Sequence, residues 1–235
     1  MKLEQHGPED GKNLVWILGW GNKLHHTNVN WLIEQLVDAG YRVHCFEIPT
    51  EITDFEREYI APVADHLETL DSFRLLSHSA GGLIAAYLEG AETTTFLSPF
   101  WGFREGQMGL DTPLIRIGGL LPVSKPLFPA GVSTRESKGQ LATDRELAEG
   151  PTRAAPTWLR ECRRAHRDRP PIPEDAVVFA TLSDRVVSVN AIGDGVPETR
   201  IVTYDGGHEL FSSPSRETHL ETLLSVIESG ASALE

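Results

Sequence analysis

This 235-residue sequence predicts an α/β fold: a mainly parallel sheet of six strands (or slightly more) with helices on both faces. Two observations carry that expectation. Continuous apolar runs of strand length alternate with longer stretches of helical periodicity. Several runs stop at Gly, Pro or Asp, and a run apolar on every position suits a strand buried on both sheet faces.

Leu14-Val15-Trp16-Ile17-Leu18 reads as the first core strand, closed by Gly19-Trp20-Gly21-Asn22. A helix follows, carrying Trp31, Leu32, Gln35, Leu36 and Ala39, with Asn28 or Asn30 as its cap and Gly40 at its end. The second strand runs from Tyr41 to Ile48 and is stopped by Pro49. Tyr59, Ile60, Val63, Leu67 and Leu70 form a helical face that Pro62 starts or kinks. Phe73 to Ser77 is the third strand, and Thr93 to Ser98, ended by Pro99, is the fourth. Ala176 to Leu182 and Arg200 to Tyr204 complete the six, and Thr218 to Ile227 is the closing helix. Phe100 to about Pro173 breaks the alternation. It opens on Phe100-Trp101-Gly102-Phe103, continues through a Gly- and Pro-punctuated stretch, and ends in a helix from Thr152 to Arg169 broken at Pro156.

The stretch with most chemistry in it is Leu75-Leu76-Ser77-His78-Ser79-Ala80-Gly81-Gly82-Leu83-Ile84. A strand ends in a serine with small residues two positions away on either side, and a helix begins at once. A bulky side chain at either position would clash across so sharp a bend. The bend lifts Ser79 Oγ clear of the backbone above a helix N-terminus, which favours developing negative charge. Here the chain resembles the α/β-hydrolase fold family, with Ser77 replacing the first glycine of the usual G-x-S-x-G. Taken alone, the serine reads equally as a helix cap.

The resemblance implies an acid after a later strand and a histidine after the last, in the order Ser, Asp/Glu, His. Asp184 follows the strand near 177 and His208 the strand near 201, both at the sheet edge that carries Ser79. Asp205 stands close to His208 in the chain, too close to swing onto its ring from the same loop. The resemblance also implies an oxyanion hole from the backbone N–H groups of Trp20 and Ala80. Leu18 here replaces the histidine that often precedes that loop's glycine. It implies a single domain over 1–235 with a cap inserted at about 100–173, under which Trp101 and Phe103 line an acyl pocket or pack the cap onto the body. Of the family's two further N-terminal strands, the residues before Leu14 hold at most a remnant.

A net charge of −13 argues against nucleic acid as partner, since polyanions repel. Cys45 and Cys162 make no disulfide framework and suggest a reducing cytoplasm. No apolar run spans a bilayer, and no signal peptide opens the chain. No cofactor is expected, because Walker and dinucleotide glycine loops are missing. No metal is expected either: His25-His26 and His44 lack zinc-site spacing. Against the acidic background, Arg153, Arg160, Arg163, Arg164, Arg167 and Arg169 crowd one segment, either as an anion-attracting rim or as a paired helix face.

The expected activity is that of a serine hydrolase cleaving a small-molecule carboxylic ester, or thioester, through an acyl-enzyme. Fold does not fix reaction, so acyltransferase, lyase, C–C hydrolase and non-catalytic binding protein stand as alternatives.

Overall fold

The computed structural model describes residues 1–104 and 121–235. Its strands are β1 (Lys2–His6), β2 (Lys12–Ile17), β3 (Tyr41–Glu47), β4 (Arg74–His78) and β5 (Thr94–Leu97). Then come the short β6 (Phe128–Pro129) and β7 (Arg153–Ala154), followed by β8 (Val177–Ala180) and β9 (Ile201–Thr203). Seven strands form one sheet in the order β1-β3-β2-β4-β5-β8-β9, while β6 and β7 pair separately. All neighbours in the large sheet are parallel except β1, which runs antiparallel to β3.

β2 shows why the sheet has two cores. Leu14, Val15, Trp16 and Ile17 are all fully buried, and the pleat sends alternate residues to opposite faces. Leu14 and Trp16 join one apolar cluster with Leu32 and Leu36 of α1 (Thr27–Asp38) and Leu223, Val226 and Ile227 of the C-terminal helix Arg216–Ser229. Val15 and Ile17 join the other, with Val63 of α2 (Ala61–Leu67), Leu83 and Ile84 of α3 (Ala80–Ala85) and Leu159. Burying each such side chain contributes about 1.5–3 kcal/mol.

The chain order places the site. From β2 the chain crosses to β3 on one side, then returns to β4 on the other, so the connections diverge between β2 and β4. In open α/β sheets ligands bind in the crevice at such a switch point, beyond the carboxyl ends of the strands. The turn after β2 and the turn after β4 flank it.

The sheet is slightly larger than six strands, as allowed for: β1 is the seventh, a remnant before Leu14 whose Lys2-Leu3-Glu4-Gln5-His6 is almost wholly exposed and so lacks an apolar run. Three local expectations are corrected. Neither Asn28 nor Asn30 caps α1, which begins after His26. The Asn28 N–H instead donates to the buried Glu146 carboxylate at 2.9 Å, so a remote acid completes this helix end. Pro156 does not break a helix from Thr152; it starts one, Pro156–Asp168, at the first-turn position where a missing N–H costs nothing. The closing helix reaches beyond Thr218 and Ile227 at both ends.

Between β5 and β8 the described residues hold α4 (Arg135–Lys138), α5 (Asp144–Glu149) and α6 (Pro156–Asp168). Much of the Gly- and Pro-punctuated stretch lies outside the described residues. After β8 comes α7 (Val189–Gly195), and Arg216–Ser229 is α8. Among the described residues, no helix is long and apolar enough to cross a membrane. Cys45 and Cys162 are both buried free thiols.

The six arginines have partners or ring contacts near home. Arg160 and Arg164 pair with Glu161, and Arg167 with Asp168. Arg163 lies over Phe103 and Arg169 over Trp101, and Arg153 donates to the Leu127 carbonyl. This favours the paired-face alternative over a rim of waiting cations.

Candidate active site

β4 runs straight into α3 with Ser79 at the junction, at φ +51° and ψ −118°. A non-glycine residue there is strained, and the surroundings hold it in place. The Ser79 N–H donates to the Leu97 carbonyl at 3.0 Å, while the Ser79 carbonyl accepts from Gly82 and Phe100, both at 2.8 Å. A Cβ on Gly81 would come within 2.3 Å of the Ile17 carbonyl oxygen, so only glycine lets α3 approach β2 so closely. Ser77 fits where the motif usually has glycine: it is fully buried and its Oγ donates to the Thr95 carbonyl at 3.5 Å.

Asp184, just past β8, meets His208, just past β9, with Oδ2 2.8 Å from Nδ1. Its Oδ1 accepts the N–H groups of Val186 and Val187 at 2.7 and 3.0 Å. Burial opposes the charged carboxylate, but His208 and these two donors outweigh it and hold Asp184 below the usual carboxylate range. An acceptor on Nδ1 puts the neutral imidazole's proton there and leaves a lone pair on Nε2. That Nε2 is buried and makes no hydrogen bond among the described residues. Asp205 is exposed and does not meet the imidazole through its side chain; its carbonyl accepts from Ser215 Oγ.

Ser79, Ala80, Trp20 and His208 line one cavity holding about 590 Å³ of empty space including its mouth. Phe100, Phe103, Trp158 and Val186 form its apolar side. Trp20 and Trp158 stack at 4.6 Å, and Phe100 lies parallel to Trp158 at 5.9 Å. Ala80 opens α3, where an N–H has no acceptor within its helix. Of the two readings for Trp101, packing is the one the structure shows. The side chain does not line this cavity but packs beneath α3, its Nε1 donating to the Gly82 carbonyl at 3.2 Å and its ring against Phe96.

Sequence reasoning missed a polar cluster on the other side of the cavity: Asn22, His78, Lys138 and Glu209, all buried. Glu209 Oε1 accepts Asn22 Nδ2 at 2.9 Å and pairs with Lys138 Nζ at 3.3 Å; Oε2 accepts Ser212 Oγ at 2.7 Å. Burial opposes ionisation of Glu209, but Lys138 and these donors bring its pKa down to about 2. Since Asn22 turns its NH₂ to the carboxylate, its Oδ1 faces His78 Nδ1 at 3.1 Å, so that nitrogen carries the proton. A Cβ on Gly19 would fall 2.5 Å from this same Nδ1, so glycine leaves room for the contact. Burial, then His208, lowers the His78 pKa to about 3. The only local signal was adjacency: His78 precedes Ser79, and Glu209 follows His208.

His25, His26 and Glu149 bring three potential metal-ligating atoms within 4.8 Å of one another. The Lys23 N–H, however, donates to His26 Nδ1 at 3.2 Å, which sets the neutral ring's proton on Nε2, facing Glu149. In that form His26 donates through Nε2 to Glu149 rather than offering that nitrogen as a ligand.

A sequence profile of the alpha/beta hydrolase family matches residues 6–219. The chain belongs to that family. Its fold is similar to that of a monoacylglycerol lipase from Paleococcus ferrophilus at a TM-score of 0.73, with 18% identity over 99% of this chain and 100% of that one. A soluble variant of Saccharomyces cerevisiae monoglyceride lipase, in complex with a substrate analog, aligns at 0.72, with 13% identity over 96% and 90%. An esterase from Exiguobacterium antarcticum aligns at 0.65, with 17% identity over 97% and 95%. At such identities the likeness is one of fold. No curated protein sequence matches the chain.

A buried and a half-buried histidine set an expectation for acid. His78 and His166 have pKa values lowered to about 3 and about 4, both first through burial. Between the ordinary value of about 6.5 and those values, the unfolded chain binds protons that the folded one refuses. Each group then removes up to about 1.4 kcal/mol of stability per pH unit. Glu209 acts lower down: its depressed pKa contributes stability above about 4.5 that is lost as pH falls toward 2. Denaturant midpoints should fall steadily from pH 6.5 to 4; midpoints unchanged over that window would contradict this account.

Proposed function

We propose that the protein is a serine hydrolase that cleaves carboxylic esters through an acyl-enzyme. The observation that carries this reading is the convergence of a strained Ser79 and an Asp184-oriented His208 on one cavity. Ser79 Oγ attacks the ester carbonyl as His208 Nε2 takes its proton. The carbonyl oxygen becomes an oxyanion held by the Trp20 and Ala80 N–H groups, each such donor worth about 3 kcal/mol. The C–O bond to the alcohol breaks, and His208 returns the proton to the departing oxygen. Water, deprotonated in turn by His208, then releases the acid. Asp184 holds the imidazole in the needed tautomer and stabilises its charged form.

The acyl chain lies along Phe100, Phe103, Trp158 and Val186, whose apolar surface suits hydrocarbon. Ala130, Val132, Lys138 and Trp158 wall the same cavity from the insertion, which on this reading is a cap at about 100–173 on a single domain of 1–235. Thioesters suit the same machinery. The lipases and esterase that share the fold support ester chemistry. The two buried thiols fit a cytoplasmic setting.

The test is product analysis with 4-nitrophenyl esters of increasing acyl length, in water and with added alcohol. Release of free acid, with kcat/KM rising as the chain grows, is the expected result. An exchanged ester as main product would make the protein a transferase, and no turnover of any chain length would refute hydrolysis.

A further inference from the structure

Lys138 is a buried ammonium in the wall of the cavity, and its Nζ makes no hydrogen bond among the described residues. Its 3.3 Å contact with Glu209 is an ion pair not aligned as a hydrogen bond. The Glu209 oxygens meanwhile receive Asn22 and Ser212. An ammonium has three protons to place, and a buried donor left without an acceptor is costly. Across the same cluster, His78 has the complementary lack. With its proton on Nδ1 toward Asn22, its Nε2 is a bare acceptor, also buried and unpartnered.

The cluster stands on the histidine side of the site. Glu209 follows His208 in the chain, and the two N–H groups donate to the Lys138 and Ser137 carbonyls at 2.7 and 2.8 Å. The rings of His78 and His208 lie 4.7 Å apart. On the hydrolase reading, on which this inference rests, His208 delivers a proton to the departing alcohol, so the alcohol half of the ester lies against this side.

We propose that Lys138 and His78 select esters whose alcohol half carries a second, free hydroxyl. A hydroxyl both accepts and donates, so it accepts a hydrogen bond from Lys138 Nζ and donates one to His78 Nε2. Neither an alkyl group nor a carboxylate does both. A carboxylate would also meet Glu209 and Asp184, two anions against one ammonium. The substrate class is thus an apolar acid esterified to a polyol or similar hydroxylated alcohol.

Three esters of one acid test this: 2-hydroxyethyl, propyl and carboxymethyl octanoate, compared by kcat/KM from acid release. The first two differ only by OH for CH₃. The intact protein should prefer the hydroxyethyl ester over the propyl ester by about 10- to 100-fold, as for a hydrogen bond to a buried charged group. In Lys138→Met/Glu209→Gln, which leaves no buried charge unpaired, that ratio should fall close to one. The ratio is taken within one preparation, so general damage to the enzyme cancels. Equal rates in the wild type would overturn the proposal, as would a ratio that survives the double substitution, which would leave Lys138 a structural staple. Preference for the carboxymethyl ester would replace it with an anion site. In all three cases the hydrolase reading stands. A folded protein that cleaves none of the three, with no acyl-enzyme at Ser79, would bring down both.

Discussion

Asp184→Asn should lower kcat about 10⁴-fold, while Asp205→Asn should leave it near wild type. Asparagine presents an amide NH₂ or a weaker acceptor to His208 Nδ1 in place of the carboxylate now 2.8 Å away. The imidazole then loses the partner that keeps its proton on Nδ1 and its lone pair on Nε2, where the proton of Ser79 must go. Loss of the charge also leaves the imidazolium formed during attack without its counter-ion. Asp205 lies near His208 in sequence, but its exposed side chain has no part in this pairing. Steady-state kinetics on one activated ester decide the matter; the reverse pattern would reassign the acid.

The second large effect concerns stability. Glu209→Ala should destabilise the fold by about 3–5 kcal/mol, the usual consequence of leaving one member of a buried pair uncompensated. Lys138 would be left without its counter-ion in a buried position, and Asn22 and Ser212 would lose their acceptor. Lys138→Met/Glu209→Gln should recover most of that loss, because a neutral pair leaves no charge buried alone. Chemical denaturation of the three proteins gives the comparison. A single substitution as stable as wild type would show the pair to be solvated in solution.

The sheet was legible where sequence and burial agree. Leu14 to Ile17, Leu75 to Leu76 and Val177 to Ala180 are buried on both faces and appear as apolar runs. β1 was illegible because an exposed edge strand paired only to β3 needs no apolar pattern. The start of α1 was misread for a different reason. Asn28 looks like a local cap, yet its partner Glu146 lies 118 positions away, beyond any short-range pattern. Ser79, Asp184 and His208 were legible because each sits just past a recognisable strand, on one edge of the sheet. The Lys138–Glu209 pair was not, since it depends on how the insertion folds back onto the histidine loop. Trp101 illustrates the limit of composition: an aromatic near a site lines it or supports it according to where its ring is sent, and here it goes under α3.

The most direct measurement is covalent labelling with a fluorophosphonate probe, on wild type and on Ser79→Ala. The probe traps an activated serine whatever the natural substrate is. The account predicts stoichiometric labelling of the wild type, mapped to Ser79, and none in the variant. Absence of labelling in folded wild type, or equal labelling of the variant, would contradict the claim that Ser79 is the nucleophile.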